Sequence, residues 1–287
     1  MNKTISLKIS QIPTEIIELA SNSIGDCSTI LFYGGDVIGS GTFVQCDSCF
    51  GILTAHHVIR EGIGLDSFKK GSDKKLGVAV KENFPRALEF DLLHVRPHEI
   101  ARPRNHEYNE FGPDLVFLEI LDEENLGTIK AHSSFWNISP QDNLVNECYN
   151  DLSSIWAVCG LPKDWIRVEE GVRDFKKVYD CKNLVGFTGI KKRFEKDGFD
   201  YFDVSVKYNA QNDIPDTFKG MSGGGLWKVI LICTGKSQNL KIRDIIFSGV
   251  IFYQTDLKAN RRILRSHGAK SIYEIFPRVL KKAEKAS

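Results

Sequence analysis

The sequence predicts an all-β fold with a helix near each end. Three observations carry that reading. Short apolar or alternating runs follow one another along most of the chain, with the period-2 pattern of half-buried strands. Turn signals rich in Gly, Asn and Asp separate them. Helix-type patterns are few and sit toward the termini.

A chain of 287 residues with 42% hydrophobic content can bury a large core, in one domain or two tightly joined halves. Lys and Arg number 38 against 37 Asp and Glu, so the formal net charge is +1. That balance offers no global pull toward nucleic acid or an anionic membrane. The basic runs Lys191-Lys192-Arg193, Arg261-Arg262 and Lys281-Lys282 read as solvated loops and a helix face. No apolar stretch approaches the roughly 20 residues that span a bilayer. Met1 to Gln11 lacks the apolar core of a secretory signal. The expectation is a soluble, cytoplasmic protein with no nucleic-acid or membrane partner.

Taken in order, Pro13 to Ala20 reads as a short amphipathic helix on the outside of the body. Thr14 is its N-cap, and Ile16, Ile17 and Leu19 form the apolar side. Thr29 to Tyr33 is a strand, Gly34-Gly35-Asp36 a turn, and Val37 to Gln45 a strand broken by Gly39-Ser40-Gly41. Cys46-Asp47-Ser48-Cys49 falls on the next hairpin turn and reads as two free thiols. Zinc or redox chemistry is the competing reading, but zinc needs about two further protein ligands and no second Cys-x-x-Cys exists. The other cysteines are Cys27, Cys148, Cys159, Cys181 and Cys233; seven, so scattered, do not make a disulfide framework.

Phe50 to Thr54 is a buried strand that ends at His56-His57. Lys69 to Lys75 is a polar loop, and Leu76 to Lys81 and Ala87 to Val95 are strands. Pro97 to Gly112 reads as loop, and His94, His98, His106, His132 and His267 as surface or structural histidines. Gly112-Pro113 is a turn that places Asp114 before the apolar run Leu115 to Ile120. Asp122 to Asp151 is a long polar connection that holds the boundary between halves. Strands follow at Ser154 to Gly160, Val168 to Cys181, Leu184 to Ile190 and Phe199 to Tyr208, with a hairpin turn at Lys196-Asp197-Gly198. Leu226 to Ile232 and Lys241 to Gln254 are buried strands. Ser271 to Glu274 has capping-box spacing. Pro277 would break a helix begun there, so it is expected as the first residue of a helix through Lys285.

Three stretches carry chemistry. Gly220-Met221-Ser222-Gly223-Gly224 sets a serine in a glycine run, where backbone N–H groups can approach a substrate carbonyl. His57 follows an apolar strand and Asp114 opens another. A histidine, an aspartate and a serine in that chain order make an oriented base and a nucleophile. Asp91 is the rival for the acid; Asp114 is preferred because the Gly-Pro turn sets it at a strand start.

On these motifs the chain resembles the trypsin-like serine proteases of the chymotrypsin fold. Thr54-Ala55-His56-His57-Val58 matches the family's histidine motif with His57 in the catalytic place. Asp114-Leu115-Val116-Phe117-Leu118 matches its aspartate strand, and Gly220-Met221-Ser222-Gly223-Gly224 its nucleophile motif. Gly39-Ser40-Gly41 matches the strand before the histidine.

The resemblance implies two packed antiparallel β-barrels. The corresponding division is a helical extension over 1–23, a first barrel over 24–135, a second over 136–265 and a C-terminal helix over 266–287. It implies peptide hydrolysis by His57, Asp114 and Ser222, an oxyanion hole from the N–H groups of Gly220 and Ser222, and no metal or organic cofactor. A polypeptide substrate would bind along Phe252, Tyr253 and Gln254. Asp216, six residues before Ser222, would lie at the floor of the specificity pocket and select Arg or Lys; a solvent-exposed loop aspartate is the alternative. Met221 replaces the aspartate that secreted members pair with a new N-terminus. Control would therefore come from a regulatory protein partner, a loop or another domain. The competing functions are a catalytically silent binding module, a zinc protein and an esterase with the same triad.

Overall fold

The computed structural model describes residues 9–80, 87–103, 110–138, 143–150, 154–170, 177–180, 184–208, 214–234 and 239–285. The expected strand Val168 to Cys181, together with His106 and Cys181, lies partly or wholly outside them. Among the described residues the protein is mostly β, with two large, predominantly antiparallel sheets, a separate two-stranded pair (Arg167–Glu170 with Lys177–Asp180), and a helix at each end.

The first sheet runs in the order Leu88–Phe90, Leu76–Val78, Ser28–Tyr33, Asp36–Cys46, Cys49–Thr54, Leu115–Ile120, Val95–Ala101. The alternating apolar residues of these runs fill its interior: Leu31, Phe43, Ile52, Phe90, Val116 and Leu118 form one cluster. Register sets Thr54 opposite Val116, so the chain ends that carry His57 and Asp114 emerge side by side. The second sheet runs Leu184–Thr188, Ser154–Gly160, Gly225–Thr234, Asn239–Gln254, Arg261–His267, Phe199–Lys207, Ile190–Lys196. Its Asp197-Gly198 turn has positive φ at both residues (52° and 84°), the type that matches strand twist.

A further cluster joins the halves and both terminal helices, with Leu53, Phe117, Trp227 and Val250 meeting Ile16, Ala20, Ile24, Phe276 and Leu280. Phe117 is fully buried and packs on Phe276 with ring centroids 5.0 Å apart. Truncating a side chain so placed costs about 3–5 kcal/mol. That contact anchors the strand that Asp114 opens.

Several elements differ from expectation. The first helix spans Thr14–Asp26 and is capped at Pro13, not Thr14. Ile16, Ala20 and Ile24 keep an i, i+4 apolar stripe in the core, which carries the helix past Ala20 and places it inward. His57 sits in a helix, His56–Gly62, directly after its strand. The Pro97 region is not loop: Val95–Ala101 is a strand, with Pro97 on an outermost strand of its sheet, where a missing N–H is tolerated. The connection after Leu121 holds the helices Glu123–His132 and Leu144–Tyr149. Asp122 caps the first by accepting from the Asn125 N–H at 3.0 Å. Arg261–His267 is a strand, and Arg262 is half-buried, donating to Gln254 and to the Thr255 and Asp216 carbonyls. Its neighbour Arg265 faces Asp203 across the sheet at 2.7 and 2.9 Å, which lets so basic a segment lie inside. At the C-terminus a π-helical turn, Ser271–Ile275, leads into the helix Phe276–Glu284, with Pro277 in its first turn.

Candidate active site

The His56–Gly62 helix begins with unpaired backbone donors, as every helix does. Asp114 answers one of them. Its Oδ1 accepts from the His57 N–H at 2.9 Å, while Oδ2 contacts His57 Nδ1 at 2.5 Å. One buried carboxylate, 3% exposed, thus fixes both the backbone and the ring of His57. A carboxylate only accepts, so the ring proton sits on Nδ1 and Nε2 is left as an acceptor. Burial works against a charged His57, but the hydrogen bond and charge of Asp114 outweigh it and hold the pKa above the ordinary value. Asp91 is exposed and caps a short helix through the Leu93 N–H instead.

The serine loop is shaped by backbone. Lys163 N–H donates to the Lys219 carbonyl at 2.7 Å, the Ser40 hydroxyl to the Gly220 carbonyl at 2.8 Å, and Ser40 N–H to the Ser222 carbonyl at 2.9 Å. Gly223 N–H donates to Ile251 O at 2.7 Å and Ile251 N–H to Gly224 O at 2.8 Å. Four carbonyls around the serine are thereby engaged from outside the loop. Among the described residues, the N–H groups of Gly220 and Ser222 donate to no other group of the chain. Gly220 and Gly223 adopt φ of +93° and +90°, open to glycine and strained for other residues. A Cβ on Gly223 would also strike the Ser40 carbonyl and the Thr54 hydroxyl. Met221 is fully buried with Trp156, Phe202, Phe218 and Leu264, an apolar anchor where a charge pair is absent.

One cavity of about 540 Å³ is lined by His57, Gly220, Ser222, Phe252, Tyr253 and Gln254 together. Asp216 stands apart from it. It is exposed, does not line the cavity, and offers only its carbonyl to Arg262 at 3.2 Å. Apolar Phe218 and Leu264 line the cavity, together with the charged side chains of Glu61, Lys163 and Lys219. The Gln254 amide oxygen accepts from Phe218 N–H at 2.9 Å and Arg262 at 3.1 Å, tying that wall to the loop before the serine.

The neighbouring His56 faces elsewhere, buried, with Nε2 2.9 Å from Glu99. His98 is buried against Glu119 at 2.8 Å, and His94 and His132 are exposed. Cys46 and Cys49 face each other in the hairpin register. Burial pushes their thiols up to about 11 and about 12, which keeps them protonated and inert. Among the described residues no three His, Cys, Asp or Glu side chains are grouped to hold a metal.

Two residues near the site were not singled out by the sequence. Ser40 holds the loop as described. His267, fully buried, accepts the Asp114 N–H through Nε2 at 2.9 Å. The Gly39-Ser40-Gly41 motif pointed toward the first; nothing local pointed to the second.

No family model and no curated protein matches this chain. Among solved structures it is similar to Rv3671c of M. tuberculosis H37Rv, as a serine-to-alanine mutant in an inactive form: 10% identity, 98% of each chain covered, TM-score 0.45. It is also similar to the Rv3671c protease in an inactive form, with 10% identity, 93% of this chain and 96% of that one covered, and TM-score 0.36.

Proposed function

We propose that this chain is a serine endopeptidase acting through an acyl-enzyme. The observation that carries the reading is the 2.5 Å contact of His57 with Asp114, beside a cavity that His57 and Ser222 both line. In the proposed reaction the Ser222 hydroxyl attacks the substrate carbonyl and its proton passes to His57 Nε2. Asp114 keeps the Nδ1 proton in place and stabilises the imidazolium. The new oxyanion takes the Gly220 and Ser222 N–H groups; losing one such donor costs roughly 3 kcal/mol of transition-state stabilisation. Collapse breaks the C–N bond, and His57 hands the proton to the leaving amine. Water then repeats the sequence on the acyl ester and frees Ser222.

The polypeptide would add along Phe252 to Gln254. Among the described residues this strand is paired on one side only beyond Ile251, by Arg261–His267. Peptides add to such edges. With Phe218, Ile251 and Leu264 in the wall, an apolar residue before the scissile bond is favoured over a basic one. A fluorophosphonate probe should label the purified chain on Ser222, and Ser222→Ala should abolish labelling. A folded wild type that stays unlabelled from neutral to mildly alkaline pH overturns the reading.

A further inference from the structure

We propose that His267 is a positioning residue for this site, a neutral imidazole that holds the backbone of Asp114 by accepting its N–H. The inference rests on the roles of His57, Asp114 and Ser222 given above.

Asp114 lies just before its strand begins at Leu115, so its N–H has no ladder partner. His267 Nε2, at 2.9 Å, is the acceptor that satisfies it. Buried donors without an acceptor are rare because they forfeit their hydration. Accepting through Nε2 requires the His267 proton on Nδ1. Nδ1 faces the Ser271 hydroxyl at 3.4 Å. That hydroxyl donates to Asp200 Oδ1 at 2.7 Å, which turns its lone pairs toward the ring. Asp200 is fully buried and is itself fixed by the N–H groups of Lys270 and Ser271 and by the Tyr149 hydroxyl. A carboxylate, a hydroxyl and an imidazole thus stand behind Asp114, as Asp114 stands behind His57.

A charged His267 could not do this, because Nε2 would carry a proton and oppose the Asp114 donor. The titratable groups around the ring are Asp114, Asp200 and Tyr201, the last with ring centroids 5.2 Å away. Phe199 and Phe252 close the box at 5.7 and 5.0 Å. Burial in these rings outweighs the two carboxylates and lowers the His267 pKa to about 4. The ring therefore stays neutral through the range in which His57 works.

The test compares His267→Leu, His267→Gln and Ser271→Ala with wild type. The readouts are the fluorophosphonate labelling rate at saturating probe and the His57 pKa by NMR. Leu removes the acceptor, while Gln returns one through its amide oxygen. His267→Leu should slow labelling on the order of 10- to 100-fold, as displaced catalytic groups do. It should also lower the His57 pKa toward the ordinary histidine value, since the Asp114 pairing slackens. His267→Gln should recover most of the rate, and Ser271→Ala should fall between. Should the Leu variant not fold, the Gln and Ala variants carry the comparison. Wild-type labelling and an unmoved His57 pKa in His267→Leu, or equal damage from Gln and Leu, overturns the proposal. In an unfolded Leu background, a Ser271→Ala variant equal to wild type in both readouts does the same. The NMR arm needs no activity, so it separates failure of this inference from failure of the protease reading.

Discussion

The two halves of the molecule build their shares of the site by different means. In the first half, side chains do the holding: one carboxylate grips both the backbone and the ring of His57. In the second half, mostly backbone does it: the carbonyls of Lys219 and Ser222 are taken up by the N–H groups of Lys163 and Ser40, that of Gly220 by the Ser40 hydroxyl, and Gly220 and Gly223 supply φ values near +90°. A site held by side chains weakens by degrees as donors and acceptors are exchanged. A site held by glycine backbone has no room for a graded change, because the first added carbon collides.

That contrast can be pressed from the side-chain half first, where the chemical effect is largest. Asp114→Asn keeps the shape. Its carbonyl would still accept the His57 N–H, which turns the amide NH₂ toward Nδ1 and drives the ring proton to Nε2, the wrong tautomer for a base. Labelling by the probe should slow on the order of 10⁴-fold with the fold intact. The pH profile shows the same pair. With the His57 pKa raised above its ordinary value, wild-type labelling should fall as pH drops through a midpoint above about 6.5. Asp114→Asn should move that midpoint down. By linkage the pair also adds stability that is complete below the unfolded histidine value and is lost as pH rises through the raised folded one.

The backbone half should respond in stability as much as in rate. Gly223→Ala places a Cβ against the Ser40 carbonyl and the Thr54 hydroxyl at a φ of +90°. It should lose about 1–3 kcal/mol in denaturant titration and lose labelling with it. A variant as stable and as reactive as wild type would show that the loop is not held as described. Ser40→Ala is the mildest probe. It removes the bonds to Gly220 O at 2.8 Å and Leu161 N at 2.9 Å but leaves every backbone contact. A loss of about 1 kcal/mol and a roughly tenfold slower label is expected.

How much of this was readable beforehand depended on how local each signal was. The strands around His57 and the Asp197-Gly198 turn announced themselves through alternation and turn chemistry. Arg261–His267 did not, because Arg265 is neutralised by Asp203 on another strand, Arg262 is taken up by the Gln254 amide and two carbonyls, and Arg261 stays at the surface. The helix Glu123–His132 hid behind polar composition; it buries only Ile129 and starts on the Asp122 cap. Asp216 matched a position by counting, yet Arg262 from a separate strand takes its carbonyl and the side chain stays at the surface.

The amino-acid order alone determined the alternation that makes sheets, the glycines that only a tight serine loop can use, and a short set of candidates for the site: His57, Ser222 and either Asp114 or Asp91. Tertiary structure decided that Asp114 and not Asp91 reaches His57, that His267 lies beneath Asp114, and that Asp216 faces water. The reason is distance along the chain. His57 and Asp114 are 57 residues apart and Asp114 and His267 are 153 apart, and such contacts exist only once strand register has set their segments side by side.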